Sequence, residues 1–460
     1  MPARDAVTHA PCASHDRSPH RLTRRATIRS SIALSGAGAA VLAAACGGPG
    51  EGRTPSAGDL SRAPATVTFL GRGSVTNQQS FQELSQRFSR ENPGITVEYS
   101  HEAGNFDEKY QVLAAGGQTP DVAFGTVANF KSHVARGLAA YVDDLAKRDK
   151  QFKEQEYDEY WLVALKYKGR LAGLPWDPGM VVLYFNRNVF QKAGVRFPDP
   201  ATPLAWDDVI ELGKRLTKDS GGQVESWGLD VWWARMWWQI PRQLGLADVY
   251  QGDEHVLKLD HPTAIEGLQW LADLRVKHKI SRPPGYPGPA TDFRSGKLAM
   301  NAAGAWDAAN NRRDMQDDWD WLPLPQFKGK KRVTMGQASP VILGAASKVK
   351  DQAWQLMRYL AGPVGQELAM ERGTSQPILK AQHNHPAFTK ARPPHTHQVV
   401  VDEVKFAVPP PYGPSYLEVQ ALVDKVMAPV YSGEQSARQA ITAALPEFKR
   451  IMEESKSRFG

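Results

Sequence analysis

Short β-branched segments alternate with helical segments along the first half of this chain, and that alternation constrains its fold most strongly. Residues 66–70 and 95–99 are typical of strands, and the segment between them carries apolar residues at helical spacing. A third strand is predicted over 121–124, and later helices over 206–216 and from Pro262 onward. Strands that alternate with helices at this pitch predict an α/β fold with a parallel sheet.

Length and charge narrow the class of protein. At 460 residues the chain exceeds what one hydrophobic core usually serves, so two or more lobes are expected. The formal net charge is +7, of which residues 1–45 supply +4, from six Arg against two acids, which leaves +3 for the remainder. Because the remainder contains no basic block, a nucleic-acid partner is not predicted.

Residues 1–45 are typical of an export signal. Arg24 and Arg25 precede an uncharged Ala-, Gly- and Leu-rich run over 30–45, which ends in small residues. The arginine pair resembles a twin-arginine signal, the kind that exports folded proteins. We therefore expect an exported protein.

The end of that signal resembles a bacterial lipobox. It reads Val41-Leu-Ala-Ala-Ala-Cys46, and Cys46 is the only cysteine that remains once the signal is removed. Residues 46–64 are rich in Gly, Pro, Ser and Ala, which predicts a flexible tether. We expect lipidation of Cys46 and anchoring at the outer face of the cytoplasmic membrane. The alternative is that Cys46 is an incidental residue of a cleaved segment.

Several motifs in the body occur in an order that resembles one known family. The most specific is Gly169-Arg-Leu-Ala-Gly-Leu-Pro-Trp-Asp177, followed by Leu183-Tyr-Phe-Asn186. Others lie at 88–97, 119–124, 293–300, 304–306 and 322–325. Over residues 65–455 the chain resembles the family 1 extracellular solute-binding proteins, the group that includes the maltose-binding protein.

The resemblance implies a two-lobe α/β fold, like that of periplasmic binding proteins, with a hinge and an interlobe cleft. Carried onto this chain, it places hinge crossings near 175–180, 300–305 and 340–345. Lobe I would then comprise 65–176 and 306–340, and lobe II 177–305 and 341–460. It also implies a non-enzymatic component of an ABC importer that captures a small molecule and delivers it to membrane permease subunits. We expect it to act as a monomer without a cofactor.

Aromatic and polar residues near the crossings are the candidates for ligand contacts. Sugars present apolar C–H faces, which flat rings cover, and hydroxyl groups, which polar side chains bind. At the crossings these candidates are Trp176, Asp177, Trp306, Asp307 and Gln337. Trp232 and Trp233 belong to a tryptophan-rich segment, and packing in the core is an equal alternative for both. Further candidates lie in loops, mostly after strands: Arg72, Glu102, Thr126 and Tyr412.

Two other functions stay open at this stage. The same fold can bind a different polar solute, such as a glycerophosphodiester or a polyamine, although the aromatic residues favour a sugar. A secreted glycosidase would need two carboxylates beside the cleft, such as Asp177 with Glu102 or Asp307. Four histidines at 383, 385, 395 and 397 lie in a Pro-rich segment without helical spacing, and no metal site is predicted there.

Overall fold

The computed structural model of the chain describes residues 59–220, 223–231, 233–282 and 289–460. The predicted export signal, Cys46 and residues 46–58 of the predicted tether lie outside the described residues, as does Trp232. The side chain of Trp233 is likewise outside them.

The strands, in chain order, are β1 (Ala65–Arg72), β2 (Ile95–Glu102), β3 (Val122–Phe124), β4 (Ala139–Ala140), β5 (Lys166–Tyr167), β6 (Arg170–Leu171), β7 (Leu174–Asn186), β8 (Lys218–Ser220), β9 (Gln223–Val231), β10 (Tyr250–Gln251), β11 (Val256–Leu257), β12 (Leu298–Gly304), β13 (Trp319–Pro323) and β14 (Gly336–Gly344).

The α-helices are α1 (Val75–Glu91), α2 (Phe106–Ala115), α3 (Phe130–Ala135), α4 (Asp143–Arg148), α5 (Glu159–Ala164), α6 (Arg187–Lys192), α7 (Trp206–Leu216), α8 (Trp233–Leu244), α9 (Pro262–Val276), α10 (Pro289–Arg294), α11 (Ala308–Asp314), α12 (Lys350–Ala361), α13 (Pro363–Glu371), α14 (Pro386–Thr389), α15 (Gln398–Glu403), α16 (Tyr416–Tyr431) and α17 (Ala437–Phe459). Short 3-10 turns lie at Glu154–Glu156, Ala305–Asp307, Lys380–Gln382 and Val404–Phe406.

Ten of the described strands join in one mixed sheet. Its central order is β2-β1-β3-β14-β7-β12-β9-β8, with β13 beside β7 and β4 beside β14. Strands β1, β2 and β3 are parallel, as predicted, and so are β9 and β12. Strands β7 and β14 run antiparallel to each other and to their other neighbours. The long strand β7 therefore lies at the middle of the sheet and connects its two parallel parts.

The described residues pack in two hydrophobic cores, and β7 contributes to both. The first core gathers around β1, β3, α1 and α12, and the second around β9, α8, α9 and α16. Val182 and Tyr184 of β7 lie in the first core, whereas Val181, Leu183 and Phe185 lie in the second. Successive side chains of a strand point to opposite faces, so one strand can serve both cores. The predicted two-lobe α/β fold is confirmed.

The cores also group parts of the chain differently from the predicted lobe boundaries. Residues 353–400 were expected with the second lobe, but their apolar side chains lie in the first core. The physical reason is that α12 directly follows β14 and folds back onto the same sheet face as α1. Helices α16 and α17 do belong to the second core.

The last residues of the predicted tether are in contact with the body. The backbone N–H of Ser61 donates to Asp351 Oδ2 at 2.8 Å, and Gln352 Nε2 donates to the Ala63 carbonyl at 2.9 Å. Leu60 packs against the first core. Residues 59–64 therefore lie along α12.

Candidate ligand-binding site

The pairing of β7 with β14 brings four residues to one face of the sheet, between the two cores. Cross-strand partners in an antiparallel ladder point to the same side, and so do residues two apart in a strand. Asp177 pairs with Ser339, and Gly179 pairs with Gln337. We call these four residues, Asp177, Gly179, Gln337 and Ser339, the cleft floor. The floor is polar, and at Gly179 it has no side chain.

The same alternation places Trp176 on the opposite face, which corrects the predicted ligand contact. Trp176 is 1% exposed and belongs to the first core, where its ring lies 4.7 Å from that of Phe81. Because the Asp177 side chain lies on the cleft-floor face of β7, the side chain of the adjacent Trp176 must lie on the other face. Trp176 therefore presents no surface to a ligand in this structure.

Trp306 lies across the glycine of the floor. A methyl group added at Gly179 would be 2.2 Å from the Trp306 ring, and one added at Gly304 would be 1.9 Å from it. Two glycines, on β7 and β12, thus let the indole settle directly on the backbone. The Trp306 side chain is partly buried and packs against the second core. An aromatic ring fixed beside polar groups is the arrangement that binds a sugar face.

Gln337 and Tyr412 are in direct contact, although 75 positions separate them in the chain. The Tyr412 hydroxyl donates to Gln337 Oε1 at 2.8 Å. The Tyr412 ring contacts Tyr416 edge-on with centroids 4.5 Å apart, and the Arg235 guanidinium lies over both rings. Gln337 and Tyr412 are predicted from the sequence, whereas Arg235 and Tyr416 are not. The sequence signal for them was position: Arg235 follows the candidate Trp233 closely in the chain, and Tyr416 follows the candidate Tyr412.

Arg72 reaches from the end of β1 toward Asp177. Its Nε donates to the Phe124 carbonyl at 3.1 Å and its Nη2 to the Gly125 carbonyl at 2.9 Å. The guanidinium also lies 4.3 Å from the centroid of the Phe124 ring. Burial lowers the pKa of Arg72, and the nearby carboxylates of Asp177 and Asp107 raise it. These contacts fix Arg72 at the wall of the site.

The two carboxyl groups proposed at the crossings have different surroundings. Burial raises the pKa of Asp177 to about 7, against the opposing charge of Arg72. Burial also raises the pKa of Asp307, while Arg294, whose Nη2 is 3.5 Å from Asp307 Oδ1, lowers it. Asp307 thus has an ion-pair partner. Among the described residues, no donor contacts the buried Asp177 Oδ1.

Thr126 and Glu102 make local contacts. The Thr126 hydroxyl donates to the carboxylate of Asp107 at 3.0 Å, and His133 contacts the same carboxylate at 3.0 Å. Burial raises the pKa of Asp107, but hydrogen bonds from His133, Asn129 and Thr126 outweigh it and hold that pKa below its ordinary value. Glu102 accepts from the Gly104 N–H at 2.7 Å, on strand β2 at the edge of the sheet. Neither side chain joins the cleft floor.

The four histidines of the Pro-rich segment are not gathered at one point. His383 contacts Asp158, His385 contacts Glu367 and His395 contacts Asp318, whereas His397 is buried beside Arg392. In the described ranges no cluster of three His, Cys, Asp or Glu residues could hold a metal ion.

Comparison with known proteins identifies the family and the fold of the chain. Residues 72–367 match the family model described as bacterial extracellular solute-binding protein. The chain is 21% identical over 424 residues to the sn-glycerol-3-phosphate-binding periplasmic protein of Escherichia coli, covering 85% of this chain and 93% of that relative. It is 25% identical over 291 residues to an arabinooligosaccharide-binding protein of Halalkalibacterium halodurans, covering 60% of this chain and 62% of that relative.

A similar solved structure is an ABC substrate-binding protein of Listeria monocytogenes in complex with cycloalternan. The TM-score is 0.74 at 20% identity, covering 85% of this chain and 99% of the other. Across residues 59–220, 223–231, 233–282 and 289–460, no helix has the length and apolar character needed to cross a membrane. The matched family consists of non-enzymatic substrate-binding proteins of ABC importers, which argues against the glycosidase hypothesis. The chain belongs to the bacterial extracellular solute-binding protein family.

Proposed function

We propose that this protein captures a sugar or oligosaccharide between its two lobes and delivers it to an ABC permease. The observation that carries the proposal is the Trp306 indole seated on Gly179 beside the polar cleft floor. The ring would cover an apolar sugar face, while Asp177, Gln337 and Ser339 would bind hydroxyl groups. The candidate ligand contacts are then Trp306 and the three polar floor residues, with Arg72 and Tyr412 at the walls.

A glycerol phosphate ligand is the second candidate, because the Escherichia coli relative binds sn-glycerol 3-phosphate. Two features of the site disfavour a phosphate group. The Nε and Nη2 of Arg72 already donate to backbone carbonyls, and above neutrality, where the Asp177 carboxyl is ionised, that charge would repel an anion. We therefore place the sugar first.

Binding to a defined panel tests the choice. The body of the protein, residues 59–460, would be titrated calorimetrically with maltotriose, cycloalternan, an arabinotriose and sn-glycerol 3-phosphate, and its melting midpoint measured with each. We expect saturable binding of a sugar with a dissociation constant of about 1 µM, because capture before transport has to be reversible. Binding of sn-glycerol 3-phosphate alone would replace the sugar proposal with the second candidate.

We also propose that the protein is exported and held at the outer face of the membrane by lipid on Cys46, with residues 46–58 as a leash. Support comes from the lipobox-like sequence and from the single cysteine left after signal removal. The test is membrane fractionation of the full chain and of Cys46→Ala, with mass spectrometry of the mature N-terminus. Release of Cys46→Ala from the membrane is expected, and an unmodified Cys46 in the mature protein would disprove the anchor.

Delivery to the permease is tested separately. Proteoliposomes that carry the cognate permease should take up the bound sugar only when this protein is supplied. Equal uptake without it would contradict the delivery role.

A further inference from the structure

Asp177 is the member of the cleft floor with a buried side-chain oxygen that has no hydrogen-bond donor among the described residues. Gln337 accepts from Tyr412, and Gly179 is covered by Trp306. The cross-strand partner Ser339 is 9% exposed. The Oδ1 of Asp177 is buried, and no described donor contacts it. A buried carboxyl oxygen without a donor is costly while it is charged.

The charged groups around Asp177 do not remove that cost. Arg72 faces it from β1, but the Nε and Nη2 of Arg72 donate to backbone carbonyls rather than to Asp177. The carboxylate of Asp107 also acts on Arg72, and it accepts hydrogen bonds from Thr126 and is contacted by His133. The Tyr412 hydroxyl donates to Gln337, the floor residue next along β14 on the same face as Ser339. Within the part of the chain that the structure describes, Arg72 is the opposite charge that acts on Asp177, and no donor contacts its buried Oδ1.

We propose that Asp177 couples sugar capture to proton release: the protonated carboxyl gives its proton to solvent when a ligand hydroxyl donates to the carboxylate. The balance is simple, since no covalent bond other than the O–H of the carboxyl is broken. The ligand keeps its hydroxyl proton and donates it as a hydrogen bond to Oδ1. This inference rests on the proposed sugar-binding function.

The protonation state of Asp177 in the ligand-free protein decides whether sugar affinity rises or falls with pH. Burial raises the pKa of Asp177 to about 7, so the free carboxyl is protonated below neutrality, whereas the ionised carboxylate is the stronger acceptor for a ligand hydroxyl. Affinity for a sugar should therefore rise with pH and level off above neutrality. We expect binding to be about tenfold tighter at pH 8 than at pH 6. A phosphate ligand would favour the protonated carboxyl and give the opposite sign.

The first arm of the test needs no ligand. The carboxyl carbon of Asp177 would be followed by NMR in protein labelled with ¹³C-aspartate, with its signal assigned by loss in Asp177→Asn. A midpoint near pH 7 is expected. A midpoint below about 5, close to that of an ordinary aspartate, would overturn the proposal even if sugars bind.

The second arm is calorimetry with maltotriose, or whichever sugar of the panel binds, at pH 7 in phosphate and in Tris, two buffers of different ionisation enthalpy. Release of about 0.5 proton per site is expected, since half of the free carboxyls are then protonated. Asp177→Asn should abolish both proton release and the pH slope, whereas Asp208→Asn, an exposed carboxylate of α7, should retain both.

The outcomes separate this proposal from the proposed function. Sugar binding with no proton release, or with release that persists in Asp177→Asn and so belongs to another group, would overturn the coupling alone. Binding of sn-glycerol 3-phosphate with proton uptake, and of no sugar, would overturn both. If Asp177→Asn fails to fold, the wild-type NMR midpoint and calorimetry still decide the matter.

Discussion

Lys131 Nζ lies 3.2 Å from Asp253 Oδ1, and this ion pair links elements of the two cores. Lys131 is on α3, whose Phe130 and Val134 lie in the first core, and Asp253 follows β10, whose Tyr250 lies in the second. Lys131 is buried, which lowers its pKa, and the charge of Asp253 raises it. The pair therefore bridges the lobes at a point where the lysine is removed from water.

We expect a bound ligand to hold the two lobes together, in the arrangement that contains the Lys131–Asp253 pair. Breaking that pair should therefore weaken ligand binding. Asp253→Asn leaves the Lys131 ammonium buried without its counter-charge, which is costly when the lobes are together and not when they are apart. We expect the dissociation constant for the panel sugar to rise by about tenfold or more, measured by calorimetry.

The matched control for this ion pair is Glu211→Gln, which breaks the exposed pair between Glu211 and Lys214 on α7. Exposed pairs contribute little, so its affinity should equal that of the wild type. An unchanged affinity in Asp253→Asn would show that the Lys131–Asp253 contact plays no part in closure.

Trp306→Ala should remove the aromatic platform. A central aromatic contact commonly contributes about 2 kcal/mol to binding, so the sugar dissociation constant should rise by about thirtyfold in calorimetry. The ring is partly buried at the end of β12, and the ligand-free protein should keep its fold by circular dichroism. Normal sugar affinity in this variant would place the ligand elsewhere.

Trp176→Ala should behave differently, because Trp176 is a core residue. Replacing a buried tryptophan by alanine typically lowers the free energy of unfolding by about 3–5 kcal/mol. Denaturant unfolding of the ligand-free protein is the measurement, with Trp306→Ala as the comparison. If Trp176→Ala were as stable as the wild type and did not bind sugar, Trp176 would be a ligand contact and not a core residue.

Gly179→Ala tests how the platform is supported. The added methyl group would lie 2.2 Å from the Trp306 ring, so the ring must move off the cleft floor. We expect a loss of sugar affinity of about tenfold or more by calorimetry, comparable to a displaced hot-spot residue. Gly116→Ala is the control, since its added methyl group would meet its nearest atom, the Val112 carbonyl oxygen, at 3.5 Å. Tight sugar binding in Gly179→Ala would contradict the role of Trp306 as a fixed platform.

The local sequence pattern was sufficient to predict several of the helices and strands. The helix predicted over 206–216 is α7, and the one predicted from Pro262 is α9. The first three strands were found because β-branched residues and the flanking turns are local signals. The ordered motifs around Asp177, Met300 and Trp306 were likewise sufficient to recognise the family.

The local sequence pattern could not predict which side chains of the crossing strands face the cleft. Trp176 and Asp177 are adjacent, and both types of residue suit a sugar site, so nothing local says which of them faces the cleft. The β7–β14 register decides it, because it puts Asp177 opposite Ser339 and turns Trp176 toward Phe81. A shift of one residue would have reversed the two roles.

By itself, then, the sequence determined that the chain is an α/β solute-binding protein, and it indicated the segments around Asp177, Trp306 and Gln337 as the candidate site. Only the tertiary structure decided which partners these residues meet, as with Tyr412 at Gln337 and Asp253 at Lys131, the latter 122 positions apart. The physical reason is that strand and helix formation depends on neighbours in the chain. A site between two lobes depends instead on which distant segments the sheet brings into register.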